Sequence, residues 1–324
     1  MLLDEFLEPK IHIVSGKGGV GKTTVAAALA MVAARHGRTV CIAEVDHKLS
    51  LPKLFGGDEV AYQPRELSPD VWAMNVTPEE ALVEYLEVQY HMRRISRVFT
   101  STHFVDYITT AAPGLKDILV LGKIWYLEQG RGSGGDFDTI IVDAPAAGHM
   151  LTFLSAPMGL SDAIRVGPVR RQAEWLVKML RDPARTRAHL VTLAEEMPVA
   201  ETLETSAALD ERVGIAHGAI VANAIYADLL DPEQEKLLEG LDKDELRAEA
   251  KEVGLALDEE DLDALGSYAR FVEARREIQH GYLRTLRKQS SQPVLELPFL
   301  FSAGLALPDI ETLADVIEEQ VGKL

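Results

Sequence analysis

The residues most able to do chemistry lie close together near the start of the sequence. Residues 15–24 read SGKGGVGKTT and match the pattern G-x-x-x-x-G-K-[ST]. Glycines let the backbone fold tightly, so that successive N–H groups and the N-terminus of the next helix can surround a polyphosphate. Lys22 would contact the β and γ phosphates, and the Thr23 hydroxyl would ligate Mg²⁺. We predict nucleotide contacts from nine consecutive residues: Gly16, Lys17, Gly18, Gly19, Val20, Gly21, Lys22, Thr23 and Thr24.

Two carboxylates at the ends of apolar runs would complete this site. The run Ile140–Asp143 ends in a carboxylate, which is how a phosphate-loop enzyme holds Mg²⁺, often through water. The run Cys41–Asp46 ends in the same way. Because strand ends on this side of a parallel sheet face the ligand crevice, we expect Asp143 and Asp46 to serve the metal. Asp46 is also the choice for orienting the attacking water, with Glu44 second, and the alternative that these acids only cap strand ends stays open.

A sheet is needed to position these groups, and the sequence predicts one. Runs rich in Ile and Val alternate with helical segments, and several are almost continuously apolar, as strands covered on both faces are. The predicted strands are Lys10–Val14, Arg38–Asp46, Val71–Val76, Phe137–Asp143, His189–Leu193, Ala219–Asn223 and Pro293–Leu297. The predicted fold class is therefore α/β, with a doubly wound, mostly parallel sheet.

Three long stretches between the predicted strands read as helical insertions. They lie at about residues 77–130, 158–188 and 228–290. No tandem repeat or low-complexity linker divides the chain. We therefore expect one domain over residues 8–324, with the insertions forming a helical lobe.

Composition excludes several classes of protein. The chain has 324 residues, a net charge of −18 and one cysteine, Cys41. One thiol cannot form an internal disulfide and is too few for a cysteine-rich zinc or iron–sulfur site. The net acidity argues against binding to nucleic acid or to an anionic membrane surface. An acidic N-terminus and the lack of an apolar run of about 18–20 residues predict a cytoplasmic protein without stable membrane insertion.

The additional lysine of the loop indicates a particular class of phosphate-loop protein. The string GKGGVGKT, with Lys17 ahead of Lys22, resembles the deviant Walker A ATPases, in which the first lysine reaches across a dimer interface to the other subunit's nucleotide. This resemblance implies that Lys17 is catalytic in trans and that turnover needs a dimer. The alternative is that Lys17 is a surface lysine of an ordinary phosphate loop.

Four further segments resemble the ArsA-like branch of these ATPases, which includes arsenite-pump and tail-anchored-protein-targeting ATPases. These segments are Asp143–Leu154, Val191–Thr202, Val221–Asn223 and Leu297–Phe299. The first is similar to the family's switch II. By the same resemblance Glu201 contacts nucleotide, Asn223 contacts adenine and Pro298 belongs to a late adenine-side loop. The resemblance implies a P-loop ATPase of the SIMIBI type, with ATP and Mg²⁺ as its cofactors.

The sequence also departs from the family pattern. Residues 46–50 read DHKLS where the family's switch I reads DPAHNLSD, so Asp46 is kept and the Pro-Ala step is lost. Bacterial ArsA-like proteins with this change resemble partners of a second, more regular paralogue, so we expect either a homodimer or a heterodimer with a paralogue. No C-x-x-C zinc site is present to join two subunits, and the single Cys41 disfavours arsenite activation.

The helical lobe suggests how nucleotide state could be used. In the targeting-type relatives such helices form a groove for an apolar client helix. Here five residues could line one, namely Met158, Trp175, Leu176, Met179 and Leu180. The alternative is an ordinary amphipathic helix packed on the core. The expected function is Mg²⁺-dependent ATP hydrolysis by a dimer that is coupled to this lobe, and the alternative is a slowly hydrolysing regulatory subunit of a heterodimer.

Overall fold

The computed structural model describes residues 3–45, 51–57, 59–90, 114–131, 135–227, 243–252 and 254–324. Its strands are β1 (Ile11–Gly16), β2 (Val40–Glu44), β3 (Arg65–Ser68), β4 (Val71–Asn75), β5 (Thr139–Ala146), β6 (Thr186–Leu193), β7 (Ala216–Ile225) and β8 (Val294–Pro298). Its helices are α1 (Leu3–Leu7), α2 (Lys22–Arg35), α3 (Leu51–Leu54), α4 (Pro78–Tyr90), α5 (Leu115–Glu128), α6 (Ala147–Ala163), α7 (Pro168–Arg181), α8 (Glu196–Arg212), α9 (Lys243–Glu252), α10 (Glu259–Gln289) and α11 (Leu307–Val321).

The strands form one sheet in the order β3-β4-β2-β5-β1-β6-β7-β8. Every neighbouring pair is parallel except β3 with β4, which is antiparallel and lies at the edge. The predicted α/β fold with a mostly parallel sheet is therefore confirmed, and each of the seven predicted runs lies on a strand. Strand β3 is not predicted, because its sequence RELS is polar and contains no apolar run.

Helices cover both faces of the sheet, and this explains the nearly continuous apolar strands. In β5, Ile140 and Val142 pack with residues of α5, α6 and α7, whereas Ile141 packs with residues of α2 and α11. Helix α2 follows the glycine-rich loop and is rich in buried alanines. Such small side chains let α2 lie close to the sheet, which fixes the loop over the end of β1.

The helices α4, α5, α6 and α7 pack on one another beside the sheet, and we call this group the helical lobe. Tyr85 on α4 donates a hydrogen bond to Gln172 on α7 (2.9 Å). Glu128, the last residue of α5, accepts two hydrogen bonds from Arg185, at 2.8 and 2.9 Å, just before β6. Such a bidentate pair ties the lobe to the sheet. The single-domain organisation expected over residues 8–324 stays a prediction.

Among the described helices, none is both long and apolar enough to cross a lipid bilayer.

Two buried histidines join β1 to β6 beneath the loop. His12 Nδ1 lies 3.0 Å from His189 Nε2, and both rings are almost fully buried. The backbone N–H of Ala219 donates to His189 Nδ1 (3.1 Å), so that nitrogen must be an acceptor. The proton of a neutral His189 is therefore on Nε2, from which it is donated to His12. Gly218 makes room for this ring, since a Cβ there would lie 2.3 Å from it.

Burial makes both imidazoles hard to protonate. It lowers the pKa of His12 from 6.5 to about 4, with Arg187 and Arg38 adding electrostatic repulsion. Burial, then His12 and Arg187, hold the pKa of His189 well below its usual value. An unfolded chain would take up these protons near pH 6.5, so acid favours the unfolded state.

We expect the free energy of unfolding to fall as the pH is lowered from 7.0 to 4.5. The contribution of His12 is present above pH 6.5 and is lost towards pH 4, and its full size is about 3 kcal/mol. Urea unfolding at both pH values measures the change. His189→Gln should reduce the dependence, while His280→Gln, a change outside the pair, should retain it. Equal pH dependence in all three proteins would contradict this account.

Candidate functional site

The glycine-rich loop joins β1 to α2 at the carboxyl edge of the sheet. Gly21 has φ +94° in the left-handed region, and a Cβ there would lie 2.2 Å from Asn223 Nδ2. A side chain at this position would therefore be strained and would also collide. By contrast, ideal Cβ atoms on Gly18 and Gly19 meet nothing within 4 Å. The loop thus has open space on one side, where a polyphosphate could approach its backbone.

The two lysines of the motif have different surroundings. Lys22 is buried, and its ammonium donates to the carbonyl oxygen of Lys17 (3.1 Å). The side chain thus folds back along the loop that would surround the phosphates. The Lys17 side chain is about one-third exposed and forms an ion pair with Glu201 of α8 (Nζ–Oε2 3.1 Å). The structure therefore places the predicted trans-acting lysine and the predicted nucleotide-contacting glutamate together within one chain.

The predicted metal ligands of the loop and of β5 meet. Thr23 Oγ1 donates a hydrogen bond to Asp143 Oδ2 (2.6 Å), and Asp143 is almost fully buried. Thr24 follows in the first turn of α2. No group of three or more His, Cys, Asp or Glu residues that could hold a metal occurs in the part of the chain that the structure describes. A hydroxyl and a carboxylate fit Mg²⁺, which binds few protein oxygens and completes its shell with phosphate oxygens and water.

The acidic end of the run Cys41–Asp46 is described only as far as residue 45. Asp46, the residue predicted to orient water and to contact the metal, lies outside the described residues. Glu44, the second candidate, is buried beside Asp143 in the strand register. Its Oε1 accepts a hydrogen bond from the backbone N–H of Leu51 (3.3 Å). Glu44 therefore anchors the start of α3, on the far side of the predicted switch I segment.

Asn223 lies two residues before the end of β7, and Pro298 is the last residue of the neighbouring strand β8. Asn223 Nδ2 donates to the carbonyl oxygen of Val20 (2.9 Å), so the predicted adenine-contacting side chain is fastened to the phosphate loop. Immediately beyond these strands the rings of Tyr226 and Phe299 stack, with centroids 5.0 Å apart and planes 12° apart. Tyr226 is not among the predicted site residues, although an aromatic residue soon after a predicted strand is a signal for such a position.

Two contacts connect the loop and the predicted switch II with their surroundings. Ser15 Oγ donates to the carbonyl oxygen of Pro145 (2.7 Å), a contact that is not predicted from the sequence. His149, in the first turn of α6, is exposed and interacts electrostatically with Asp117 of α5. Burial raises the pKa of Asp117, and His149 partly opposes that rise. These contacts link β1, switch II and the helical lobe.

Comparison with known proteins gives a family for this arrangement. The profile of the anion-transporting ATPase family matches residues 9–178. ATPase BagA of Mycobacterium tuberculosis is 33% identical over 327 residues, which cover 96% of this chain and 93% of the relative. An arsenical pump-driving ATPase of Acidiphilium multivorum is 26% identical, covering 68% of this chain and 40% of the relative. ATPase GET3C of Arabidopsis thaliana is 27% identical, covering 46% of this chain and 41% of the relative.

The match to the family profile spans the phosphate loop, Asp143 and most of the helical lobe, and the match to the mycobacterial ATPase extends through Asn223 and Pro298. The expected resemblance to the ArsA-like ATPases is thereby confirmed. The chain belongs to the anion-transporting ATPase family and is an ATPase.

Proposed function

We propose that this ATPase is a Mg²⁺-dependent dimer that couples its nucleotide state to the helical lobe. One observation carries the proposal. The phosphate-loop residues Lys22 and Thr23 and the β5 carboxylate of Asp143 are brought together at one strand edge, with the Thr23–Asp143 hydrogen bond at 2.6 Å. This combination supplies a cation for phosphate oxygens and two oxygen ligands for a divalent metal.

Each residue has a distinct part in the proposed hydrolysis. Lys22 neutralises the charge of the β and γ phosphates, and the loop backbone orients them. Thr23 and Asp143 would hold Mg²⁺, which would supply charge stabilisation to the transferring phosphoryl group when bound. Asp46 would orient the attacking water and contribute to the metal shell, while Glu44 anchors Leu51 at the start of α3. The base lies between Asn223 and the loop that begins at Pro298.

The Lys17–Glu201 ion pair bears on the proposed dimer. In this chain Lys17 contacts its own Glu201 at 3.1 Å, and both side chains remain about one-third exposed. Partly exposed ion pairs of this kind contribute little, about 0–1 kcal/mol. Lys17 can therefore leave Glu201 at low cost and reach the nucleotide of a second subunit, which is either another copy or a paralogue.

Helix α6 is the element that would carry nucleotide state to the lobe. It begins in the predicted switch II, contacts α7 and α8, and is 17 residues long, or about 25 Å. Its first turn faces Asp117 of α5 through His149, and its far end reaches Leu160 beside α7. A change at the γ-phosphate that moves the first turn of α6 would therefore also shift the contacts of α6 with the other helices of the lobe.

An apolar client helix is the lobe partner suggested by the family resemblance, but the five predicted groove residues do not share one surface. Met179 and Leu180 are fully buried in the core, and Met158 is partly buried against it. Leu176 is 2% exposed, and among the five residues Trp175 alone has a large exposed fraction, 41%. The alternative of an amphipathic helix packed on the core accounts for most of these side chains.

Lys22→Ala should lower steady-state ATP turnover by about 100-fold or more, because it removes the charge that stabilises the transferring phosphate. Phosphate release by the purified protein measures this. Lys53→Ala, which removes an exposed lysine on α3, is the matched control and should retain turnover. Unchanged turnover in the folded Lys22→Ala protein would overturn the proposal of hydrolysis at this loop.

A second candidate function, a slowly hydrolysing regulatory subunit, is favoured by the switch I segment that lacks the family's Pro-Ala step. The two candidates differ in what Asp46 does. If Asp46 orients the attacking water, single-turnover hydrolysis should be about 100-fold or more slower in Asp46→Asn than in wild type. Asp263→Asn, in α10, is the control. Equal rates in wild type and Asp46→Asn would favour the regulatory subunit.

A further inference from the structure

The helical lobe contains a cavity that the nucleotide site does not use. It has a volume of about 340 Å³ and lies between α4, α5, α6 and α7. Its walls include Val88 of α4, Ile118 and Gly122 of α5, Leu160 of α6 and Leu176 of α7. We call this cavity the lobe pocket. Its volume lies near the lower end of the range for small-molecule pockets, about 300–1,000 Å³.

The rim of the lobe pocket exposes large apolar side chains. Val88, Val169 and Trp175 are each 41% exposed although their helices pack on neighbours. Trp175 stacks on Trp125, with ring centroids 5.2 Å apart and planes 14° apart. Apolar side chains that converge on a cavity in this way favour an apolar ligand.

The buried charges at the pocket balance each other. Lys123 is 3% exposed and its ammonium lies 2.7 Å from Glu84 Oε2. The Tyr62 hydroxyl donates to the same carboxylate oxygen (2.5 Å), and the Lys123 ammonium lies 4.8 Å from the centroid of the Tyr62 ring. The pair thus gives the pocket a polar wall without a net charge.

Arg131 is the remaining charge on the lining. It is exposed and follows the C-terminus of α5. It interacts electrostatically with Tyr126 of α5, and no ion pair with a carboxylate is found for it within the described ranges. A guanidinium beside an apolar cavity matches a ligand that combines an alkyl chain with an anionic head, because it can bind a carboxylate or phosphate with two parallel hydrogen bonds.

We propose that the lobe pocket binds a single-chain anionic amphiphile, with its chain between α4 and α5 and its head group at Arg131. The cavity suits one alkyl chain better than a whole helix, whose diameter with side chains is about 10–12 Å. This inference goes beyond the proposed function, since it concerns a second ligand and does not rest on ATP hydrolysis.

The test uses decanoate titrated into the nucleotide-free protein. Calorimetry gives affinity and stoichiometry, and the fluorescence of Trp125 and Trp175 reports on the pocket. We expect one decanoate per chain. Gly122→Leu should weaken binding at least tenfold, because a Cβ at Gly122 meets nothing within 4 Å and the longer side chain would fill the cavity. Gly281→Leu, at a helical glycine in α10 with equally open surroundings, should leave the affinity unchanged.

Head-group recognition is tested separately. Arg131→Gln should weaken decanoate binding about three- to tenfold and leave decanol binding unchanged, since decanol lacks the charge. Decyltrimethylammonium should bind more weakly than decanoate. Lys22→Ala should bind decanoate like wild type, so that loss of ATP turnover and loss of this site are separate results. The proposal is overturned if Gly122→Leu binds decanoate as tightly as wild type. It is also overturned if the wild-type protein does not bind decanoate but binds an apolar helical peptide.

Discussion

The close approach of two backbones at the end of β1 is the constraint on which the rest of the structure depends. A Cβ on Gly16 would lie 2.0 Å from the carbonyl oxygen of Val191 in β6, a distance that real side chains do not reach. The last residue of β1 can therefore pair with β6 only as glycine. Since β1 lies between β5 and β6, this pairing sets the position along the strands at which the phosphate loop leaves the sheet. The hydrogen bond from Thr23 to Asp143 depends on that position.

A second level of organisation links the phosphate loop to elements on both sides. On one side, Ser15 bonds Pro145 and so joins the loop to the start of α6. On the other, Asn223 bonds Val20 and so joins it to the end of β7. The loop is thus braced by short polar contacts to two strands that are not adjacent to each other. Movement of the loop cannot be local, because each brace ends on a different element.

Much of the fold could be predicted from the sequence because its signals are local. Continuous apolar runs predict the strands. The glycine–lysine motif places Thr23, and the acidic end of the run Ile140–Asp143 places Asp143, at the same edge of the sheet. What could not be predicted depends on pairs distant in sequence. The Lys17–Glu201 pair is of this kind. The anchoring of Leu51 by Glu44 is closer in sequence, but it depends on how the chain turns back at the end of β2. The periodicity of α7 shows that it has an apolar stripe, but it does not show that Met179 faces the core while Trp175 borders a cavity. Asp46 stays a prediction.

The bond between Asn223 and Val20 also bears on base selection. A backbone carbonyl only accepts hydrogen bonds, so the Asn223 group that contacts it must be the NH₂, and the orientation of the amide is thereby assigned. The nitrogen is committed to the phosphate loop, and Oδ1 is left as the acceptor. In the base-contacting role proposed for Asn223, this acceptor would pair with the exocyclic amino group of adenine and would face a like acceptor in the keto oxygen of guanine. The same contact that braces the loop would therefore act as a filter for the purine.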